Sequence, residues 1–269
     1  MKDSDAPLLI VLVLMVIGGV TAWFFRDTLF PGPEPVPVVA VPEPVEPQQE
    51  SGPRYPIPEA PAAPAEDRNL VPLPPLDDSD AYFLLEIGNA FGSGIESLLT
   101  REFVIDRLVT SVDNLPRSEL PEKIRPVGRL ADAFAPETGD GDAIELGISS
   151  YARYDALVAQ LYYADIDAVY DIYRRYYPLF QTSYERLGYP DAYFNDRLIE
   201  VIDHLIATPQ PGQPIVLVRP NVLYEFADPD LEALSSGQKL LLRMGPSNAA
   251  TIKRMLEKFR KELTDQENS

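Results

Sequence analysis

The chain has 269 residues, with 23 Lys and Arg against 42 Asp and Glu, a formal net charge of −19, one His and no Cys. Without cysteine there is no disulfide scaffold, zinc ribbon, iron–sulfur cluster or thiol nucleophile, and a single His excludes multi-histidine metal sites. So acidic a chain is repelled by nucleic acid and by anionic lipid headgroups, and no metal, cofactor or nucleic-acid partner is expected.

Residues 1–30 carry an uncharged run from Ala6 to Phe25, broken only by Gly18, Gly19 and Thr21 among plainly apolar residues from Leu8 onward. Eighteen residues at the helical rise make about 27 Å, the hydrocarbon thickness of a bilayer. Trp23, Phe24 and Phe25 stand where aromatic rings prefer the headgroup boundary, followed by Arg26. This predicts one transmembrane helix over about residues 7–25, with Gly18 and Ala22 as a small-residue pair for helix–helix approach. The rival is a cleaved secretory signal with Val20-Thr21-Ala22 as its cleavage site; Lys2 opposed by Asp3 and Asp5 argues against it. Few cations follow the span, so the expected topology is single-pass in a bacterial inner membrane with the C-terminal domain in the periplasm.

Residues 31–75 hold 15 of the 28 prolines, the sequence PEPV twice, and two cations against seven acids. Such a composition cannot bury enough apolar area to offset its ordering entropy. It reads as a disordered acidic linker, extended in the polyproline manner to an upper reach of about 140 Å. A proline-rich docking site is the alternative.

Residues 76–264 read as a mostly α domain, with 265–269 a short tail. Helical patterning covers 82–91, 100–114 and 150–163. Asp165 is placed to cap a helix carrying Val169, Tyr173, Tyr176 and Tyr177, which Pro178 should kink or restart and Gly188-Tyr189-Pro190 should close. Phe194, Leu198, Ile202 and Leu205 form the next stripe, ended by Thr208-Pro209. Residues 215–218 and 222–226, joined by Arg219-Pro220-Asn221, predict a small β-hairpin. Asp228 should cap a helix running through Leu241 and Leu242 to Gly245-Pro246. A last amphipathic helix then carries Ala249, Ile252, Leu256, Phe259 and Leu263.

Eleven of the 14 tyrosines fall between Tyr151 and Tyr193, interleaved with arginines. Flat amphipathic rings beside forked donors make a recognition surface, able to stack on sugar rings or hold a partner's carboxylates. Tyr151, Arg153, Tyr154, Arg174, Arg175 and Tyr176 are the partner-binding candidates; the plainer account is that tyrosines at helical spacing pack in the core. His204 lies four residues after Glu200, a spacing open to acid–base or metal chemistry, although a lone His near a helix end is commonly a cap or surface residue. Glu137, Asp140, Asp142 and Glu145 crowd a glycine loop without the calcium-loop spacing, as solvated acidic turns do. No Walker loop, nucleophile elbow, dinucleotide fingerprint or HExxH sequence is present, so no catalytic residue is assigned.

Six boxes in order, LPPLDDSDA (73–81), SVDNLPR (111–117), YARYDALV (151–158), ERLGYP (185–190), FADPDLEAL (226–234) and RMGPSN (243–248), resemble the bacterial domain-of-unknown-function family 3014 over roughly residues 73–263. The resemblance implies a membrane-anchored envelope protein with a proline-rich spacer and supplies no activity. The expected function is a periplasmic binding or adaptor domain on a long spacer, meeting another envelope protein or cell-wall glycan. A carboxylate-based cell-wall hydrolase or transferase is the alternative, and a structural homo-oligomeric scaffold the third.

Overall fold

The computed structural model describes residues 52–58, 72–92, 95, 98–128 and 134–265, all within the unit Ser51–Ser269. The predicted span and the PEPV repeats lie outside the described residues. Among those described, no helix is long and apolar enough to cross a membrane.

The body is mostly helical. Its helices are α1 (Asp80–Phe91), α2 (Val104–Asn114), α3 (Ile148–Ala152), α4 (Asp155–Tyr162), α5 (Ile166–Arg186), α6 (Phe194–Ile206), α7 (Pro229–Glu232), α8 (Ser236–Arg243) and α9 (Pro246–Thr264). Four strands, β1 (Glu137–Thr138), β2 (Ile144–Leu146), β3 (Ile215–Val218) and β4 (Glu225–Phe226), form one antiparallel sheet in the order β1-β2-β3-β4.

Helix α5 is the axis, packed against α1, α2, α6 and α9. Asp165 begins it by accepting hydrogen bonds from the Asp167 and Ala168 amides, which otherwise have no partner in a first turn. Tyr170, Tyr173, Tyr176, Leu179, Phe180, Ser183 and Tyr184 recur at helical spacing and are buried. They meet Phe83 from α1, Val104, Ile105 and Val109 from α2, Phe194, Ile199 and Ile202 from α6, and Leu263 from α9. The rings pack edge to face or stacked, as their quadrupoles favour: Phe83 meets Tyr176 at 5.1 Å and 69°, and Phe180 lies over Phe194 at 5.6 Å and 7°. The helix runs on past Pro178 rather than restarting there, since proline removes one hydrogen bond while the packed face on either side is continuous.

Several helix ends are satisfied from a distance. Phe103, before α2, has left-handed backbone (φ 55°), and the Asp80 carboxylate accepts from both the Phe103 and Val104 amides at 2.7 and 2.8 Å. The Gln181 amide oxygen accepts from the Phe194 N–H at 2.9 Å, so a side chain of α5 caps α6.

Four sequence expectations are corrected here. The predicted helix 150–163 is two helices, because the turn at Arg153 and Tyr154 aims Tyr151 at Gly245 and Tyr154 into a cluster with Val158, Leu241 and Met244. Asp228 does cap a helix with Pro229 in its first turn, but α7 ends after one turn and α8 begins afresh. Ser235 and Gln238 form a reciprocal capping box there, and Gly237 passes so close to Leu115 and Leu205 that a Cβ would collide. The hairpin forms with Leu217 opposite Phe226 and Val218 opposite Glu225, yet β4 is shorter than expected and Val222 and Leu223 are exposed. Finally, β1 and β2 extend the sheet, so the acidic glycine loop is a hairpin turn whose strands pair Glu137 with Glu145.

Part of the stretch read as linker lies on the body. Over residues 52–58 exposure alternates: Pro53, Tyr55 and Ile57 are half-buried, and Gly52, Arg54, Pro56 and Pro58 are exposed. That is the period of an extended strand. Tyr55, Ile57 and Leu73 pack against the main core. The reason is local: two large apolar side chains spaced by two residues offer burial that the neighbouring Pro, Glu and Ala runs do not.

Candidate functional site

The six predicted partner-binding residues occupy two places. Arg174, Arg175 and Tyr176 sit in the middle of α5, where Tyr176 is only 1% exposed. The Arg175 guanidinium lies 5.7 Å from the Tyr176 ring centre and donates to Glu86 at 2.5 Å, while Tyr176 reaches the same carboxylate at 3.3 Å. Arg174 lies 5.9 Å from the Tyr170 ring centre and donates to Asp171 at 3.1 Å; its Nε and the Tyr170 hydroxyl are buried without a hydrogen bond. These are core tyrosines with charged covers.

Their burial has a measurable signature. Loss of hydration disfavours the phenolate, pushing Tyr176 and Tyr177 up to about 12 and Tyr173 well above 10. The Glu86 charge adds to the effect at Tyr176 and Asp196 adds to it at Tyr177, where the Asn195 amide opposes it. A phenol whose pKa is higher folded than unfolded stabilises the fold fully below pH ~10, and that stabilisation is lost as pH rises through the folded value. The domain is therefore expected to keep its stability to pH ~10 and lose it between pH ~10 and ~12. Helical circular dichroism followed beside phenolate absorbance checks this, the two changing together.

Tyr151, Arg153 and Tyr154 form the other place, the α3–α4 corner. Gly245 starts α9 with φ 82°, and the Tyr151 ring lies where its Cβ would be, so both the backbone angle and the contact require glycine. The Tyr151 hydroxyl is 2.9 Å from the Leu146 carbonyl and 2.8 Å from the Gln213 amide oxygen. Asn248 ties the two corners together, donating to the Asp155 carboxylate at 2.8 Å and lying 3.1 and 3.4 Å from the Met244 and Tyr151 carbonyls. The boxes 151–158 and 243–248 thus converge, and Arg243 over the Phe226 ring brings in 226–234.

At this convergence two guanidinium groups stand without partners. Arg153 lies 5.4 Å from the Tyr154 ring centre, its Nε buried and without a hydrogen bond. Arg243, at the end of α8, lies 5.1 Å from the Phe226 ring centre and interacts electrostatically with Tyr154. Both are half-buried, and among the described residues neither makes a hydrogen bond or ion pair. Burial pushes the Arg243 pKa down against the opposing pull of Glu232. Burial also works to raise Glu232, but Lys239 at 2.8 Å, the Phe226 amide at 2.8 Å and the Arg243 charge outweigh it and hold that carboxyl below its usual range. Glu232 is therefore already engaged by Lys239, and Arg243 keeps its donors free. Arg243 lies in the RMGPSN box, where nothing in its spacing distinguishes an idle guanidinium from a paired one.

Of the remaining candidates, His204 and Glu137 have structural partners. His204 Nε2 is 2.8 Å from the Ser235 hydroxyl, beside the α8 cap. Asp203 pairs with Arg260 at 2.5 and 3.1 Å, and Glu200 pairs with Arg54 and Arg197, so no carboxylate–imidazole pair forms. Glu137 accepts from the Ser149 amide at 3.0 Å and its hydroxyl at 2.7 Å, bonds that hold its pKa below the usual carboxylate range. Among the described residues no group of three His, Asp or Glu is arranged to hold a metal ion.

No curated protein and no solved structure matches the chain. One family profile does, over residues 104–260, from the start of α2 into the last turns of α9, which takes in five of the six boxes and leaves LPPLDDSDA upstream. With more than half its length matched, the chain belongs to the family described as protein of unknown function DUF3014.

Proposed function

We propose that the chain is a single-pass, membrane-anchored envelope protein that presents a helical binding or adaptor domain on a proline-rich spacer. In this reading the domain's ligand site is the corner around Tyr154, and it takes an anionic group, a carboxylate or phosphate of a cell-wall polymer or envelope protein. The observation that carries the reading is the pair of idle guanidinium groups, Arg153 and Arg243. The chain has 42 acids against 23 bases, and among the described residues the half-buried Arg175, Arg197 and Arg260 each hold a carboxylate. Leaving donors of a partly desolvated guanidinium unsatisfied costs free energy, which an incoming anion recovers through forked, charge-assisted hydrogen bonds. Stacking on Tyr154 and Phe226 holds both planar groups in orientation before the ligand arrives. The spacer confines the domain near its target and raises the effective concentration of the pair.

The test uses the full chain in detergent and purified cell-wall sacculi, native or with their carboxyl groups methyl-esterified. Arg153→Ala with Arg243→Ala is expected to weaken binding to native sacculi by about 10- to 100-fold, the loss of one or two charge-assisted hydrogen bonds. The thermal midpoint should hardly move, because neither guanidinium has a hydrogen bond to lose. Equal binding by the double variant, or equal binding to esterified sacculi, would reject the carboxylate reading.

A further inference from the structure

Residues 52–58 are held on the body by a small set of contacts, nearly all to α6. The Asp196 carboxylate accepts from two successive amides, Arg54 and Tyr55, each at 2.9 Å. Asn195, which is fully buried, donates to the Tyr55 carbonyl at 2.8 Å and accepts from the Tyr173 hydroxyl at 3.1 Å. The Arg54 guanidinium reaches Glu200 at 2.5 Å with 61% of its side chain exposed. Pro53, Pro56 and Pro58 have no amide hydrogen to give. The backbone is thus read at one point, by one carboxylate and one carboxamide, with Tyr55 and Ile57 as half-buried anchors.

We propose that this segment is a releasable strap which sets the length of the tether. Docked, it attaches the tether to the α6 face at Gly52. Released, residues 52–58 join the tether and add up to about 24 Å of contour. Three features make it the first element to yield. Its ion pairs, to Glu200 and at 3.8 Å to Asp196, both rest on the exposed Arg54 and are therefore weak and salt-sensitive. Gly52, Arg54, Pro56 and Pro58 are exposed, so among the described residues no other element has to move for it to open. Pulling from Gly52 loads Arg54, then Tyr55, then Ile57 in turn, so the contacts break singly rather than together. Release breaks the bonds of Asn195 Nδ2 and the Asp196 carboxylate to the strap, and the same bonds re-form when residues 52–58 dock again. The strap's use rests on the anchored spacer proposed above, whereas its test does not.

The test is single-molecule pulling of the full chain between handles at its two ends. The expected record is a reversible lengthening of about two nanometres at a force below that which unfolds the helical body. Arg54→Glu, at an exposed side chain, should lower the force of that first step or abolish it while the force for the body stays unchanged. Added salt should lower it in the wild-type chain. Strap and body yielding in a single event, or a first step indifferent to Arg54→Glu, would overturn the proposal. Either result leaves the sacculus-binding test untouched.

Discussion

Phe194→Ala is expected to lower the unfolding free energy by about 3–5 kcal/mol, the range for removing a buried ring from a close-packed core. Phe194 is 1% exposed at the first position of α6. Its ring stacks on Phe180 at 5.6 Å and meets Tyr184 at 5.7 Å and 58°. Both neighbours belong to α5, whose backbone is fixed by α1 and α2 on its other sides, so the site cannot collapse to fill the space. Folded domains are stable by only about 5–15 kcal/mol, and this change removes a large part of that. Urea unfolding reports it as a lower midpoint with the slope preserved. A shift of under about 1 kcal/mol would mean that α6 repacks freely, and the stacked geometry would then carry no weight.

Asp113→Ala is expected to cost about 3 kcal/mol by a different route, the uncovering of a charge. Asp113 ends α2 with 5% of its side chain exposed. It receives Arg197 at 3.0 Å, Arg117 at 2.9 Å and the Tyr189 hydroxyl at 3.4 Å, joining α2, α6 and the turn after α5. Removing the carboxylate leaves the half-buried Arg197 with the Asp113 backbone carbonyl at 2.9 Å and Glu200 at 3.5 Å. Replacing both members, Asp113→Ala with Arg197→Met, should restore part of the loss, since the half-buried guanidinium is then gone and only the exposed Arg117 has lost its carboxylate. A double-mutant cycle by urea unfolding separates the two effects; strictly additive losses would refute the coupling.

Both predictions concern helices that periodicity made legible. The α5 and α6 stripes were readable because a packed helix needs apolar residues every three or four positions, and Asp165 and Asp228 because a first turn needs acceptors for its free amides. Strands β1 and β2 were not readable. They hold two and three residues, two of them glutamates, and β2 is fixed by pairing to β3, some 70 positions away. The break before α8 was written as Ser235 followed three residues later by Gln238, a signal outweighed by the apolar residues on either side. The strap hid inside its own composition, because proline frequency argues for a spacer while Tyr55 and Ile57 argue for burial. At the Tyr154 corner, Arg153 and Tyr154 stood out by residue type, but the idleness of Arg243 depends on where Lys239 reaches, which only the folded chain decides.

The Asp80 carboxylate that grips the amides of Phe103 and Val104 bears on where this protein can be cut for biochemical work. A fragment trimmed to 104–260 would begin at the very residue whose amide Asp80 holds, and would discard Phe83, which packs against Tyr176 and Phe180, and Leu263, which is 1% exposed. Recombinant boundaries drawn from Gly52 to Asp265 keep the Asp80 grip, Phe83 and Leu263 inside the expressed piece.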